Sequence, residues 1–274
     1  MAIKEMDLRV FLRKAGVGRF LLRHAITPAQ RFSNLRYPDR DVIIEANGSK
    51  LKVFSPRKNL IGRALYKDRT WEPQVTATIE AETRAGMIAL DVGADIGYYA
   101  LQFSHLVGNE GRVIAFEPIP AARERLEQNI ALNGRTNIVV SPYALGNQEG
   151  HVFLEDPFTK SRLNLARTSA GKDDISVSIK RMDDLIHEMN LAAVDIIKMD
   201  IEGAEHEALR GMEQTLRRFH PLLIVEVHNE FLPLFGSSAE ELFNWLSTLG
   251  YEITSVDSDG PENALTCTVC CRVP

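Results

Sequence analysis

Two short stretches concentrate ionisable side chains where buried strands ordinarily carry apolar ones. "KMDIEGAEH" holds Lys198, Asp200, Glu202, Glu205 and His206, and "VEVHNE" holds Glu226 and His228. Charges inside otherwise apolar strands are costly to bury without partners, so they imply either chemistry or mutual pairing. Alternation along a strand puts Lys198, Asp200 and Glu202 on one side, provided the extended conformation persists that far, and Glu226 with His228 on one side of the next strand. Groups of this kind can take a proton from a hydroxyl. Asp200, or His228 oriented by Glu226, is the candidate base, with Glu202 and Lys198 as catalytic or ion-pairing support. Asp200, Glu202, Glu226 and His228 could also hold a divalent cation, but no spacing among them dictates a metal site and none is assigned. Glu205 and His206 read as the solvated start of a helix, where an acid suits the positive end of the dipole.

A second concentration lies upstream in "LDVGADIGYYA", which carries Asp91, Gly93, Ala94, Asp95, Ile96, Gly97 and Tyr98. Glycines in a turn after a strand let backbone N–H groups and a helix N-terminus approach a ligand closely. In "IAFEP" the next strand ends on Glu117 and Pro118, and an acid there can accept hydrogen bonds from both hydroxyls of a ribose. A dinucleotide site wants G-x-G-x-x-G against a pyrophosphate. Here the pattern is D-x-G-x-x-x-G with Asp95 inside the loop. Acids on both sides of the turn repel a pyrophosphate and suit a ligand carrying an ammonium and a sulfonium, which describes S-adenosyl-L-methionine, with Asp91 meeting the amino group. The missing third glycine disfavours a nicotinamide-dependent oxidoreductase. A nucleoside-binding module without catalysis is the third reading.

These residues need elements to position them. From Met87 onward, "MIALDVG", "GRVIAFEP", "NIVVSPYAL", "AVDIIKMDIEG" and "PLLIVEVHN" are five apolar runs, each fit to be covered on both faces, and helical stretches alternate with them. "YEITSVD" and "ALTCTVCCRV" are joined by too few residues for a helical crossover and should pair as an antiparallel hairpin at the sheet's end. The expectation is an α/β, doubly wound, mostly parallel seven-stranded sheet with an antiparallel last strand, its ligands at the carboxyl ends of the strands. A basic helix and a hairpin turning on Asn47-Gly48 should form an N-terminal extension over 1–70, with the main domain over 71–274. "WEPQVTATIEAETRAG" reads as that domain's first helix, Pro73 in its first turn and Gly86 just past its end. "AEHEALRGMEQTLRRF" reads as one helix. An insertion over 151–180 offers two strands around a polar loop over 158–174, which reads equally as a lid or substrate loop and as surface decoration.

"LDVGADIGYYAL", "VIAFEPIP", "ALGNQEG", "DIIKMDIEGAEHEALRG" and "PLLIVEVH" follow one another in the order and spacing of the FkbM family of S-adenosylmethionine-dependent methyltransferases, which the chain resembles from about Trp71 to Asn229. The resemblance implies a class I methyltransferase (Rossmann-like) fold and O-methylation of a hydroxyl on a sugar, glycan or secondary metabolite. Carried onto this sequence, it assigns Asp91, Gly93, Ala94, Ile96, Gly97, Tyr98, Glu117 and Pro118 to the cofactor, with Asp200 beside the methyl group and Ala144 and Leu145 near the adenine edge. Asp95 departs from the pattern, since the family more often has Asn there.

The chain's 274 residues, 45% hydrophobic, can bury a large core. No run reaches the roughly 18 to 20 apolar residues of a membrane span, and a cytoplasmic location is expected. Cys267, Cys270 and Cys271 crowd the last residues, too few for a disulfide framework or a zinc site, and read as packing. Residues 1–40 carry nine Lys or Arg against three Asp or Glu, although the whole chain is at −5. That basic arm suits a helix packed on the domain with its charges solvated; peripheral membrane-surface contact or attraction of an anionic substrate are the alternatives. It has no base-reading motif, and the domain is acidic, so a nucleic-acid partner is not expected.

Overall fold

The computed structural model describes residues 36–155, 174–256 and 265–274; the basic arm up to residue 35 and the loop expected over 158–174, but for Asp174, lie outside them. Strands β1 (Val42–Ala46) and β2 (Ser49–Val53) pair as the expected hairpin. Its turn residues Asn47 and Gly48 take φ of 48° and 68°, the left-handed pair a two-residue hairpin requires. Helices α1 (Leu60–Asp68) and α2 (Pro73–Glu82) follow. The sequence reading passed over α1, although Asn59 caps it by accepting from the Gly62 N–H. Helix α2 ends earlier than expected, at Thr83, and Gly86 lies beyond it.

The main sheet has the order β11-β12-β10-β9-β3-β4-β5. Strands β3 (Ile88–Val92), β4 (Arg112–Phe116), β5 (Ile138–Ser141), β9 (Ile196–Met199) and β10 (Leu222–His228) are parallel; β12 (Thr266–Arg272) runs antiparallel between β10 and β11 (Glu252–Ser255). Helix α3 (Tyr98–Val107) follows β3, α4 (Pro120–Leu132) follows β4, and α8 (Ala239–Thr248) follows β10. The third strand stops sooner than expected. Pro142 has no N–H to continue the ladder, and Ala144–Leu145 form β6, which pairs with β8 (Asp174–Lys180) in a separate sheet with β7 (Gly150–Glu155). A short helix α5 (Met182–Glu188) completes the insertion. The expected single helix after β9 divides into α6 (Glu205–Arg210) and α7 (Glu213–Phe219) at Gly211, where a Cβ would lie 2.0 Å from the Gly146 carbonyl oxygen.

Strand alternation sorts the core into two layers. Leu90, Val92, Ile197, Met199, Leu223, Val225 and Val227 join one cluster. Ala89, Ile196 and Ile224 join the other, together with Ile44, Leu51 and Val53 of the hairpin and Phe103 and Leu126 of the helices. By the same parity Asp91, Lys198, Glu226 and His228 fall on the Ala89 face. Helix α4 clasps the hairpin there: Asn129 Oδ1 accepts from Lys52 N–H at 2.7 Å, its amide donates to the Ile96 carbonyl at 2.8 Å, and Asn133 both accepts from and donates to the Lys50 backbone.

Candidate active site

The turn after β3 is stapled to the end of β4. Gly93 and Ala94 N–H groups donate to the Phe116 carbonyl, both at 3.0 Å, and Asp95 N–H donates to Glu117 Oε2 at 2.8 Å. Glu117 is buried, its other oxygen accepts from Ile119 N–H, and burial together with the Asp95 charge pushes its pKa up to about 8. Gly93, Asp95 and Gly97 have φ of 86°, 46° and 91°. Position 95 thus sits in the left-handed region that Gly, Asn and Asp tolerate best, so Asp in place of Asn keeps the turn. The Asp95 side chain is exposed on its outer side but crowded by protein beneath, which raises its pKa. The Tyr98 hydroxyl turns away from the turn, toward Thr70, Thr76 and the Trp71 N–H, and anchors the segment before α2.

Asp91 is fully buried, and neither carboxylate oxygen has a hydrogen-bond partner of regular geometry among the described residues. Burial lifts its pKa to about 6, against the lowering pull of Lys198, its direct partner across the β3–β9 ladder. Lys198 is itself buried, donates to Asp200 Oδ2 at 3.3 Å and lies 4.7 Å from the Tyr99 ring centre. Burial works to discharge it, but Asp200, Asp91, Glu72 and Glu226 outweigh that and keep it a cation.

Asp200 stands just past β9, its N–H on the Val92 carbonyl. The extended conformation ends there: Glu202 has φ of 54° and Gly203 of 102°. Glu202 therefore reaches the site through a turn instead of by alternation, and its Oε2 lies 3.6 Å from His228 Nε2. Asp200 Oδ1 and Glu226 Oε1 each lie 3.8 Å from the same nitrogen. The opposite ring nitrogen, Nδ1, is 2.8 Å from Glu205 Oε1. The acid nearest the ring is thus Glu205, not Glu226, and Glu205 is fully buried instead of solvated.

The charges in this cluster sort by environment. Burial acts to raise the Asp200 pKa, yet Lys198, His228 and a hydrogen bond with Glu226 hold it below the usual carboxyl value. Burial beside Asp200 and Glu72 pushes Glu226 up to about 9. Burial pushes Glu202 to about 7. For His228, burial works downward, but Glu205, Asp200 and Glu202 win and push it to about 10. The surroundings thus favour the anion at Asp200 over Glu226 and favour the cation at Lys198 and at His228.

Sequence reasoning missed Glu72 and Tyr99. Glu72, in a left-handed conformation at the start of α2, accepts from the Tyr99 hydroxyl at 2.7 Å; its only signal was its place in "WEP". Asp200, Glu226 and His228 offer ligand atoms within 4.8 Å of one another, a spacing that could hold a metal ion, although Lys198 and protonated His228 already balance it. Ala144 and Leu145 lie on the small sheet, paired with Ile179 and Lys180 of β8. A cavity of about 610 Å³ at the hairpin, lined by Asn47, Lys50, Arg69 and Asn133 among others, contains none of these groups.

A parallel sheet closed by one antiparallel strand, with an acid-flanked glycine turn after its first strand and an acid ending its second, defines a class I methyltransferase fold. A structure from Clostridium thermocellum described as a proposed rRNA methylase has the same fold, at a TM-score of 0.50 and 12% identity over 73% of this chain and 93% of that one. Residues 91–253 match the Methyltransferase FkbM domain, and the chain belongs to that family, whose methyl donor is S-adenosyl-L-methionine. Hexuronic acid methyltransferase AglP of Haloferax volcanii is 28% identical over 200 residues, 70% of this chain and 76% of that protein. The 31-O-demethyl-FK506 methyltransferase FkbM of Streptomyces tacrolimicus is 29% identical over 178 residues, 54% of this chain and 68% of that protein. AMB antimetabolite synthetase AmbE of Pseudomonas aeruginosa is 23% identical over 254 residues, but the chain spans only 12% of its length. Among the described residues no helix is long and apolar enough to cross a membrane.

Proposed function

We propose that this chain is an O-methyltransferase acting on a hydroxyl of a small molecule or glycan, and that Asp200 accepts the hydroxyl proton. The observation that carries the reading is the Asp200 carboxylate, kept ionised between Lys198 Nζ at 3.3 Å and His228 Nε2 at 3.8 Å at the strand end next to the cofactor turn. S-adenosyl-L-methionine supplies an electrophilic methyl group on a sulfonium. The buried Asp91 carboxylate, with no hydrogen-bond partner of regular geometry among the described residues, suits its ammonium, and Glu117 suits its ribose. Asp95, Ile96, Gly97 and Pro118 frame the same turn. Because a hydroxyl becomes strongly acidic as its oxygen acquires a methyl group, a weakly basic but ionised carboxylate suffices as acceptor of the proton. His228, already protonated, serves as a donor to the acceptor or to Asp200, and protonated Glu226 supports Asp200 by the hydrogen bond it gives.

Two relatives named for methylating a hexuronic acid and a 31-O-demethyl compound support a hydroxylated acceptor. The test is calorimetry with S-adenosylhomocysteine and NADH, followed by methyl transfer to a panel of sugars, uronic acids and hydroxylated polyketides. Binding of the first ligand and methyl ether formation are expected; tight NADH binding with no response to the methyl donor would overturn the reading. Activity is expected to survive exhaustive chelation, because Lys198 and His228 already balance the carboxylates; elemental analysis showing a bound divalent ion whose removal abolishes turnover would assign the Asp200, Glu226 and His228 atoms to a metal instead.

A further inference from the structure

The turn after β9 is built around a residue that the reaction above does not use. Glu202 and Gly203 both take positive φ, and the reversal brings Glu205, first residue of α6, back under the end of the sheet. A Cβ at Gly203 would lie 2.5 Å from the Phe231 Cβ, and the Phe231 ring stacks on His228, centroids 6.0 Å apart and planes at 19°. Turn, helix start and imidazole therefore pack as one unit. Glu205 Oε1 accepts from Gly203 N–H at 2.9 Å and meets His228 Nδ1 at 2.8 Å. Oε1 already accepts from Gly203 N–H, so Nδ1–H donating to the same oxygen completes the contact. The second oxygen, Oε2, is buried with no hydrogen-bond partner among the described residues. A helix start needs no such buried acid, and a neutral or apolar side chain would avoid the desolvation cost.

We propose that Glu205 is a positioning residue of the methyl-transfer site: through Nδ1 it holds His228 so that Nε2–H faces the Asp200, Glu202 and Glu226 carboxyls as a fixed cationic donor, while Asp200 acts as the proton acceptor. The proposal rests on the reading of the preceding subsection. Four acids surround the His228 ring, one at Nδ1 and three at Nε2. Glu205 comes from α6, Asp200 from the end of β9, Glu202 from the turn and Glu226 from the same strand β10. Lys198 on β9 is engaged by Asp200 and Tyr99. Of these acids Glu205 is the nearest and the most buried, so its charge does most to keep the ring doubly protonated, and its position does most to aim it.

The test uses the full chain saturated with S-adenosylhomocysteine. Ring-nitrogen NMR shifts of His228, assigned by their loss in His228→Gln, are followed with pH in the wild type and in Glu205→Gln. The Gln side chain keeps the acceptor and removes the charge. A wild-type ring that stays doubly protonated above neutrality, with a midpoint lowered by at least about one pH unit in Glu205→Gln, is expected. A ring that is neutral at pH 7 in the wild type, or a midpoint unmoved by Glu205→Gln, would overturn the proposal; the wild-type measurement decides even if the variant does not fold. On any acceptor the wild type methylates, Glu205→Gln should lower kcat by about tenfold or more with the KM for the donor unchanged, and should move the alkaline limb of activity down with the ring's midpoint. Glu205→Asp keeps the charge and should restore the midpoint more than the rate. A wild type that methylates nothing yet titrates as expected would defeat the O-methylation reading and uphold the pairing. One that methylates while His228 ignores residue 205 would defeat the pairing alone.

Discussion

Asp200 and Glu226 are neighbours, and both face His228, yet Asp200 is held low by Lys198, His228 and its hydrogen bond with Glu226, while at Glu226 burial and the Asp200 and Glu72 charges outweigh His228 and Lys198. Their substitutions should therefore behave differently. Asp200→Asn removes the proton acceptor and is expected to cut turnover by about 100-fold to 10,000-fold while S-adenosylhomocysteine still binds. Glu226→Gln keeps a neutral hydrogen-bond donor and should leave turnover close to wild type. Steady-state kinetics beside calorimetry checks both; equal losses in the two variants would show that Glu226 works as a carboxylate. The residue types in "KMDIEGAEH" and "VEVHNE" were enough to nominate this cluster. They were not enough to assign roles, because protonation depends on which charges fold against which.

At the scale of elements, the site depends on how helices and turns press the strand ends together. Asn129 of α4 joins β2 to the glycine turn through bonds to Lys52 and to Ile96. Asn129→Ala leaves the Lys52 N–H and the Ile96 carbonyl without that partner. It should cost about 1–3 kcal/mol of stability and weaken S-adenosylhomocysteine binding along with it, measured by denaturant unfolding and calorimetry. Loss of stability with unchanged affinity would mean that the clasp does not hold the turn. Here the sequence reading was uneven. The Asn47-Gly48 hairpin was legible because turn chemistry is local. The break at Gly211 and the end of β5 at Pro142 were not read, since one rests on contact with Gly146, far along the chain, and the other on a strand turning out of the sheet.

For the whole molecule, buried groups on the Ala89 face couple folding to pH. Asp91, Glu117, Glu226 and His228 all have folded pKa values raised, to about 6, 8, 9 and 10 respectively. A raised group binds protons more readily folded than unfolded, so its contribution is complete below its unfolded pKa and is lost as pH rises through the folded one. Asp200, lowered, acts in the other direction, losing its contribution only as pH falls below the carboxyl range. Thermal stability is therefore expected to decline steadily from about pH 6 to about pH 9. A midpoint that rises over that interval would show that the buried carboxyls are ionised and paired in the folded state.

By itself the sequence determined the alternation of strands and helices, the acid-flanked glycine turn, the acid ending the second strand and the concentration of charge on the fourth and fifth strands. Each is written in neighbouring residues, through side-chain period, positive-φ turns and the cost of charge in an apolar strand. Tertiary structure alone decided that Glu205, not Glu226, lies nearest the His228 ring, that Glu72 and Tyr99 close over Lys198, and that the Tyr98 hydroxyl serves the preceding segment. Those outcomes join residues that lie 23 or more positions apart, and such pairs meet only after the turn at Glu202 and Gly203 and the packing of α2 on α3 have set their distance.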